Sequence, residues 1–336
     1  TYTELLEDAG YAIGHTGKGW GPGRLEPGGR QVNPAGKAFN QKNRKPAFKQ
    51  IRSTDYAANF QEFLNQLPSD QPFCFWLGTS EPHRGFQPGV GKSTGKDPAK
   101  VVVPPIFPDN NIVRNDILDY LVEVEYFDSV VGDAIALLET RGELDNTLIV
   151  VTSDHGMPFP RAKASLYDAG TRVPLAIRWP KGIDKPGRTN ESFVNLSDLA
   201  PTFLEIAGLK PTASMTGHSL AESFKNETAL GQDAAFIAME RHDGCRDGGK
   251  GFPCRAIRTS DYLYIHNFEP TRWPSGSPDP NVCARAIPYG EIDSSPTKTT
   301  MMEQRDAPEI APLAELAFGM RPTEELYDLT NDPHQL

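Results

Sequence analysis

A carboxylate, an imidazole and an ammonium group lie close along the stretch SDHGMPFPRAK, as Asp154, His155 and Lys163. Directly before it runs Asn146-Thr147-Leu148-Ile149-Val150-Val151, an apolar β-branched run of the kind that forms a buried parallel strand. Carboxylate oxygen suits a hard divalent ion such as calcium, and an added imidazole nitrogen also admits zinc or manganese. Lys163 is near enough along the chain to return to the same pocket and meet an anionic group. Taken singly, each has an ordinary reading: Asp154 as a cap on backbone N–H groups, His155 as a satisfied core histidine.

Two more clusters carry chemistry of the same kind. Glu81-Pro82-His83-Arg84 gathers an acid, a histidine and an arginine around a proline. A histidine there can give a proton to a leaving group, and Arg84 can clamp a carboxylate or sulfate with two hydrogen bonds. Lys18 lies in TGKGWGPG, where a lysine and exposed backbone amides make an anion cradle. The plainer readings are a solvated loop and a glycine turn that binds nothing.

Strand–helix alternation positions these groups. Leu5, Leu6 and Ala9 mark the inner face of a first helix, and Tyr11 to Thr16 is a short strand ending at Gly17-Lys18. Tyr56 to Leu67 reads as a helix and Pro72 to Leu77 as a buried strand running into the Glu81 cluster. Ile117, Leu121, Val124, Phe127, Val131, Ile135 and Leu138 recur at helical spacing and lead into a strand over 147–152. A strand over 173–177 and a helix over 196–209 follow. This order predicts a mostly parallel central sheet flanked by helices. Such sheets collect ligands at the carboxyl ends of their strands, where Lys18, His83 and Asp154-His155 all fall. From about Ala234, short strands at 235–240, 254–258 and 262–267, with Glu325 to Leu329 after them, predict a smaller α+β subdomain with an antiparallel sheet. The expected division is 1–230 and 231–336.

Composition narrows the function classes. The 336 residues carry a formal charge of -10, with 38% hydrophobic and 23% charged residues. That field repels nucleic acid, and an anionic substrate needs a local positive site set against it. No apolar stretch approaches the roughly 20 residues of a membrane span. The four cysteines show no CxxC pair and no finger spacing, so a zinc module is not expected. Cys74 lies in an apolar run and reads as a core thiol. Cys245, Cys254 and Cys283 leave one disulfide open, with no pairing assigned. The opening TYTELLEDAG reads as a helix already under way, so a fragment of a longer polypeptide is expected, its targeting signal out of view. GVGKST (89–94) lacks the leading glycine and the preceding strand of a phosphate-binding loop. CRAIR (254–258) has the spacing of a formylglycine motif, but a strand rather than a helix start follows it. The basic stretch 41–52 reads as a solvated loop.

Together these stretches resemble the sulfatase family of the alkaline-phosphatase superfamily. The likeness rests on LLEDAGYAIGHTGKGW, on SEPHRGF, on DNTLIVVTSDHG with KASLYDAGTRVPLAIRWP, and on NLSDLAPTFLEIAGL. EPHR, SDHGMPFPRAKASLY, PCRAIRTSDYLYIHNF and ELYDLTNDPHQL are similar to its N-sulfoglucosamine sulfohydrolase branch, which acts on heparan chains. The resemblance implies Asp154 and His155 as metal ligands, with histidine where some members carry asparagine. Calcium is the implied ion, with magnesium, manganese or zinc behind it. It implies Lys18 between nucleophile and sulfuryl oxygens, His83 at the sulfuryl group and leaving nitrogen, and Lys163 as neutralising charge. Glu81, Arg84, Arg241 and His242 are implied near the sugar.

Two departures stand out. Trp20 occupies the place where members carry a histidine, and the strand with paired aspartates and the formylglycine cysteine are not in this sequence, so the fragment alone is expected to be inactive. The implied partner is a sulfated sugar, with no nucleic acid and no membrane, and with room for a homodimer. The implied compartment is periplasmic, secreted or lysosomal. The competing readings are a phosphodiesterase or phosphonate hydrolase of the same superfamily and a non-catalytic sulfoglycan-binding relative.

Overall fold

The computed structural model describes residues 1–21, 23–226 and 232–336. Its main elements, in chain order, are α1 (Tyr2–Asp8), β1 (Ala12–Gly17), β2 (Lys37–Ala38), α2 (Tyr56–Asn65), β3 (Phe73–Gly78), α3 (Val90–Ser93), α4 (Asn111–Thr140), β4 (Ile149–Thr152), α5 (Asp168–Thr171) and β5 (Leu175–Arg178). There follow α6 (Leu199–Ile206), α7 (Ala221–Lys225), β6 (Ala234–Met239), β7 (Cys254–Thr259), β8 (Tyr262–Asn267), α8 (Pro296–Glu303), α9 (Ala311–Phe318) and β9 (Glu324–Asp328). The chain divides into two compact units. The first is Thr1–His83, Val122–Ile149 and Arg178–Leu230; the second is Arg84–Leu121, Val150–Ile177 and Gly231–Leu336. The expected boundary at 230/231 lies outside the described residues.

In the first unit, β1 runs parallel to both its neighbours, in the order β2-β1-β3. The pairing with β3 runs from Ala12↔Phe73 to Gly17↔Gly78, so both strands end at one edge. Asp55 caps α2 by accepting from Ala58 N at 3.0 Å. The helix then lays Phe60, Phe63 and Leu64 on Phe73 and Phe75 of β3. Ring centroids of Phe60 and Phe63 lie 4.7 Å from that of Phe75. Burying each such ring stabilises the unit by about 2–3 kcal/mol, which holds the β3 tip in place.

The second unit has two apolar clusters. One joins Phe86, Phe107, Val113, Ile117, Phe159, Ile292, Met301 and Phe318. The other joins Tyr167 to the inner face of the antiparallel sheet β6-β7-β8-β9, through Ala256, Leu263 and Ile265. The registers Phe236↔Ile257, Ile257↔Tyr264 and Tyr264↔Leu326 put the alternate residues on the outer face, and Phe236 and Leu326 are exposed. The antiparallel sheet is as the sequence predicts, and CRAIR is strand β7. β4 pairs with β5 in a two-stranded sheet.

Helix α4 is longer than its apolar spacing predicts, and its buried face is rotated. Ile117 and Leu138 are buried as the spacing predicts and Val124, Phe127, Val131 and Ile135 half-buried, but Leu121 is 38% exposed, whereas Val113, Asp116, Asp119, Glu123, Tyr126 and Val130 are buried. Asp119 accepts from the backbone N–H groups of Gly89 and Gly91, at 2.8 Å each. Hydropathy places carboxylates outside, so a face built on three of them is invisible to that pattern. The helix expected over 196–209 is a 3-10 turn, Leu196–Asp198, followed by α6. Buried Asp198 sits at the junction, accepting from Asn195 N and His218 N at 2.8 Å each.

Candidate active site

In the first unit, Lys18 leaves the tip of β1 directly beside the end of β3. Its N–H donates to Gly78 O at 2.6 Å. Gly17 takes a left-handed φ of 72°, and a Cβ there would lie 2.1 Å from Gly78 O, so only glycine lets the two strand ends cross this closely. The Lys18 side chain is exposed. After β3 the chain folds tightly. Thr79 Oγ1 donates to Glu81 O at 2.8 Å and His83 N to Ser80 O at 2.9 Å. Glu81 is buried at 4% exposure. Its carboxylate accepts from Arg52 N at 2.8 Å and from the Tyr56 hydroxyl at 2.9 Å. Glu81 therefore anchors the turn, and His83 is exposed beyond it. Burial, with the Glu81 charge second, pushes the Glu123 carboxyl up to about 7.

The second unit holds the remaining sequence-predicted residues. Asp154 and His155 follow β4. His155 Nδ1 lies 2.7 Å from Gly156 O, and a carbonyl only accepts, so Nδ1 carries the proton and Nε2 is the nitrogen with a lone pair in the neutral ring. Nε2 is 3.8 Å from Asp154 Oδ1, and the Asp154 side chain is 79% exposed. Gly156 presses on α5: its N–H donates to Gly170 O at 2.8 Å, and a Cβ there would meet Ala169 O at 1.8 Å. That contact fixes the direction in which the Asp154-His155 pair leaves the strand.

Lys163 is buried, with Nζ 2.5 Å from Asp293 Oδ2 and side-chain exposures of 3% and 7%. The other Asp293 oxygen takes Arg285 Nη1 at 3.2 Å, and Arg285 Nε lies 2.8 Å from Asp243 Oδ2. The Asp243 N–H donates to Glu291 Oε2 at 2.7 Å. His242 Nδ1 lies 3.1 Å from the same oxygen, and Arg246 Nη1 is 2.5 Å from Glu291 Oε1. Beside them, the Lys298 ammonium donates to Tyr289 O at 3.0 Å and Ile292 O at 2.8 Å. Burial, and then the Arg285 charge, bring Lys298 down to about 8. Four cations (Lys163, Arg246, Arg285 and Lys298) thus face the three carboxylates of Asp243, Glu291 and Asp293. This is a local positive balance inside a chain of net charge -10, and it is open at His242 and Arg285, whose side chains are 36% and 37% exposed.

Arg84 pairs with a different carboxylate, Asp116. Its guanidinium is 5% exposed and takes both Asp116 oxygens, at 2.7 and 2.9 Å. It lies between the rings of Phe86 and Phe159, 4.5 and 4.3 Å from their centroids. Arg241 is exposed and donates to Gly249 O at 2.9 Å. Among the described residues, no three His, Cys, Asp or Glu side chains group so as to hold a metal ion. The spacing of residues in sequence pointed to Lys163 but to none of its partners. Asp293, Glu291 and Arg285 lie in turn-rich sequence, and Lys298 in a short helix, α8, whose sequence alternates polar residues too evenly to mark a buried charge.

The sequence profile of the sulfatase family matches residues 4–209, more than half of the chain. The chain belongs to the sulfatase family. A second profile, N-sulphoglucosamine sulphohydrolase, C-terminal, matches residues 157–274 of this sulfatase. It is 28% identical over 238 residues to an ulvan-active sulfatase of Formosa agariphila, covering 70% of this chain and 37% of that protein. To human N-sulphoglucosamine sulphohydrolase it is 28% identical over 294 residues, covering 78% of this chain and 56% of that one. The chain thus spans roughly half or less of the length of these relatives. A solved structure in complex with its substrate D-glucosamine-2-N,6-O-disulfate matches with a TM-score of 0.62 at 19% identity, over 100% of this chain and 76% of that one. At that identity the likeness speaks for the fold, which is the alkaline-phosphatase-like fold of the sulfatases.

Proposed function

We propose that this sulfatase is a sulfohydrolase of sulfated aminosugars of the heparan type, cleaving a sulfamate or sulfate ester. The observation that carries the reading is the C-terminal profile of N-sulphoglucosamine sulphohydrolase over 157–274, which takes in Lys163, Arg241 and His242 as well as Asp243 and Arg246. A sulfuryl group needs positive charge on its oxygens and a proton for its leaving group. In this reading Lys18 and Lys163 supply charge, and His83 delivers the proton to the departing nitrogen or oxygen. Asp293 holds the Lys163 ammonium at a set position, so that little reorganisation accompanies the reaction. Glu81 and Arg84, both buried and fully engaged, act by fixing the His83 turn and the loop of Pro158, whose carbonyl accepts from Arg84 Nε at 2.7 Å. Arg241 and His242 are the groups offered to the sugar.

The donor set at the β4 tip fits a share of a metal site. A free carboxylate and an imidazole with its proton on Nδ1 present an oxygen and a nitrogen side by side. Asp154 and His155 would hold a calcium ion together with ligands outside these 336 residues, and the ion would supply positive charge to a sulfuryl oxygen. We also place the formylglycine nucleophile outside these residues, and the protein in the periplasm, outside the cell or in the lysosome. No helix among the described residues is long and apolar enough to cross a membrane.

Sulfate release from glucosamine N-sulfate and glucosamine 6-O-sulfate, against phosphate release from matched aryl phosphates, measured with the full-length protein, tests the reading. Release from an aminosugar sulfate with aryl phosphate slower by orders of magnitude is expected. A phosphate preference would select the phosphodiesterase reading, and binding of sulfated sugar without turnover the non-catalytic one.

A further inference from the structure

We infer that Cys245 and Cys283 form a disulfide that clamps the two chain segments framing the buried charge network. The two sulfurs face each other 2.6 Å apart, inside the contact distance of two unbonded sulfurs. Both residues are buried, at 0% and 5% exposure. The backbone around them is shaped to admit the pair. A Cβ on Gly290 would lie 2.3 Å from Cys283 Sγ and 2.4 Å from Cys245 Sγ, and one on Gly276 would lie 3.0 Å from Cys245 Cβ. Shared metal ligation is the other use of paired thiols, and no third ligand group accompanies them among the described residues. Cys254, which equally could have partnered either one by sequence, is buried in the sheet cluster with Leu263 and Ile265.

The chemistry is ordinary thiol–disulfide exchange during folding, before the pair is buried. One cysteine thiolate attacks a small disulfide such as oxidised glutathione, and one glutathione thiol leaves. The other cysteine then attacks the mixed disulfide and expels the second. Two thiol protons and two electrons pass to the oxidant, and one S–S bond forms in the protein. Burial raises the Cys283 thiol, but hydrogen bonds from Cys245 and the backbone N–H groups of Arg285 and Ile287 outweigh it and hold it below the ordinary thiol value. The consequence is positional. Cys245 lies two residues after Asp243 and Cys283 two before Arg285, so the bridge pins both partners of the 2.8 Å ion pair behind Asp293.

The test is a thiol count on the full-length protein, secreted through an oxidising compartment or refolded in a glutathione redox buffer, then denatured without reductant. Of the four cysteines in these 336 residues, peptide mapping should find Cys74 and Cys254 alkylated, with a Cys245–Cys283 cross-linked peptide in the digest. Alkylation of all four of these residues, or a bridge that includes Cys254, overturns the inference. The Cys245→Ala/Cys283→Ala variant should melt about 5 °C lower than the oxidised protein. An unchanged melting point would also count against the clamp. Should the variant not fold, the thiol count on the unaltered protein decides alone.

Discussion

The two units place the groups proposed to meet a sulfuryl group in opposite ways. In the first, Lys18 and His83 stand exposed at the ends of neighbouring parallel strands, and the fold beneath them is aromatic. In the second, Lys163 is buried to 3% exposure and belongs to a chain of ion pairs that runs through Asp293 and Arg285 to Asp243, whose backbone N–H donates to Glu291. An exposed group is optional for folding, because water solvates it before and after. A buried cation is not, because its removal leaves a carboxylate in low dielectric with one partner fewer, Asp293 here keeping only Arg285 of the two described. The same proposed service to a sulfuryl group thus has different costs to the fold in the two units.

The sharpest way to break that contrast is His83→Ala. In the full-length enzyme its turnover of an N-sulfated substrate should fall about 10²–10⁴-fold, with an unchanged melting point. Activity should recover toward the unaltered enzyme on an aryl sulfate whose leaving group needs no proton. A lowered melting point would mean that His83 is structural after all. Lys163→Ala should lose about 10²–10³-fold in turnover and, unlike the first, destabilise the protein by about 3–5 kcal/mol in urea denaturation. Loss of activity with full stability would show that the ion pair with Asp293 contributes nothing to the fold.

Asp116→Asn probes the same contrast away from the reacting groups. It leaves the Arg84 guanidinium buried without its carboxylate, and a loss of about 3 kcal/mol is expected. A loss of less than about 1 kcal/mol would make that pair equivalent to a surface one.

The smallest effects concern pH. Glu123 in the first unit has its folded value raised from 4.5 to about 7. Between those values the folded state holds a proton that the unfolded state has lost, so stability is highest below pH 4.5 and falls as pH rises through 7. Glu123→Gln should remove this slope and gain about 1–2 kcal/mol at pH 8. Lys298 in the second unit runs the other way. Its folded value is lowered from 10.5 to about 8, so the folded state gives up its proton first and stability gains as pH rises from 8 toward 10.5. Urea titrations of Glu123→Gln and Lys298→Met across pH 5–10 read both slopes, and parallel slopes for the two variants would remove the distinction between the units.

Much of the first unit was readable along the chain. The runs at 11–16 and 72–77 are apolar and bounded by turn residues, and Lys18 and His83 follow them within a few positions, so neighbours in sequence are neighbours in space. The β6–β9 sheet was readable for a similar reason, since alternation and turns are local signals. Helix α4 was readable as a helix and misread in its buried face. Asp116 and Asp119 are inside because Arg84 and the Gly89–Gly91 amides meet them from distant positions.

Sequence alone determined the longer strands, helices α1, α2 and α4, and the strand-tip polar clusters, because apolar periodicity, glycine turns and caps act over a few residues; it left β2, α3, α5 and α7 to α9 unread. It also carried the sulfatase resemblance, through blocks such as the one around Asp154. Tertiary structure decided which charges are buried and by whom they are matched: Lys163 by Asp293, Arg84 by Asp116, Arg246 by Glu291. Burying a charge is tolerable only when a partner arrives from elsewhere in the chain, and the 130 residues between Lys163 and Asp293 leave no local trace of that arrival.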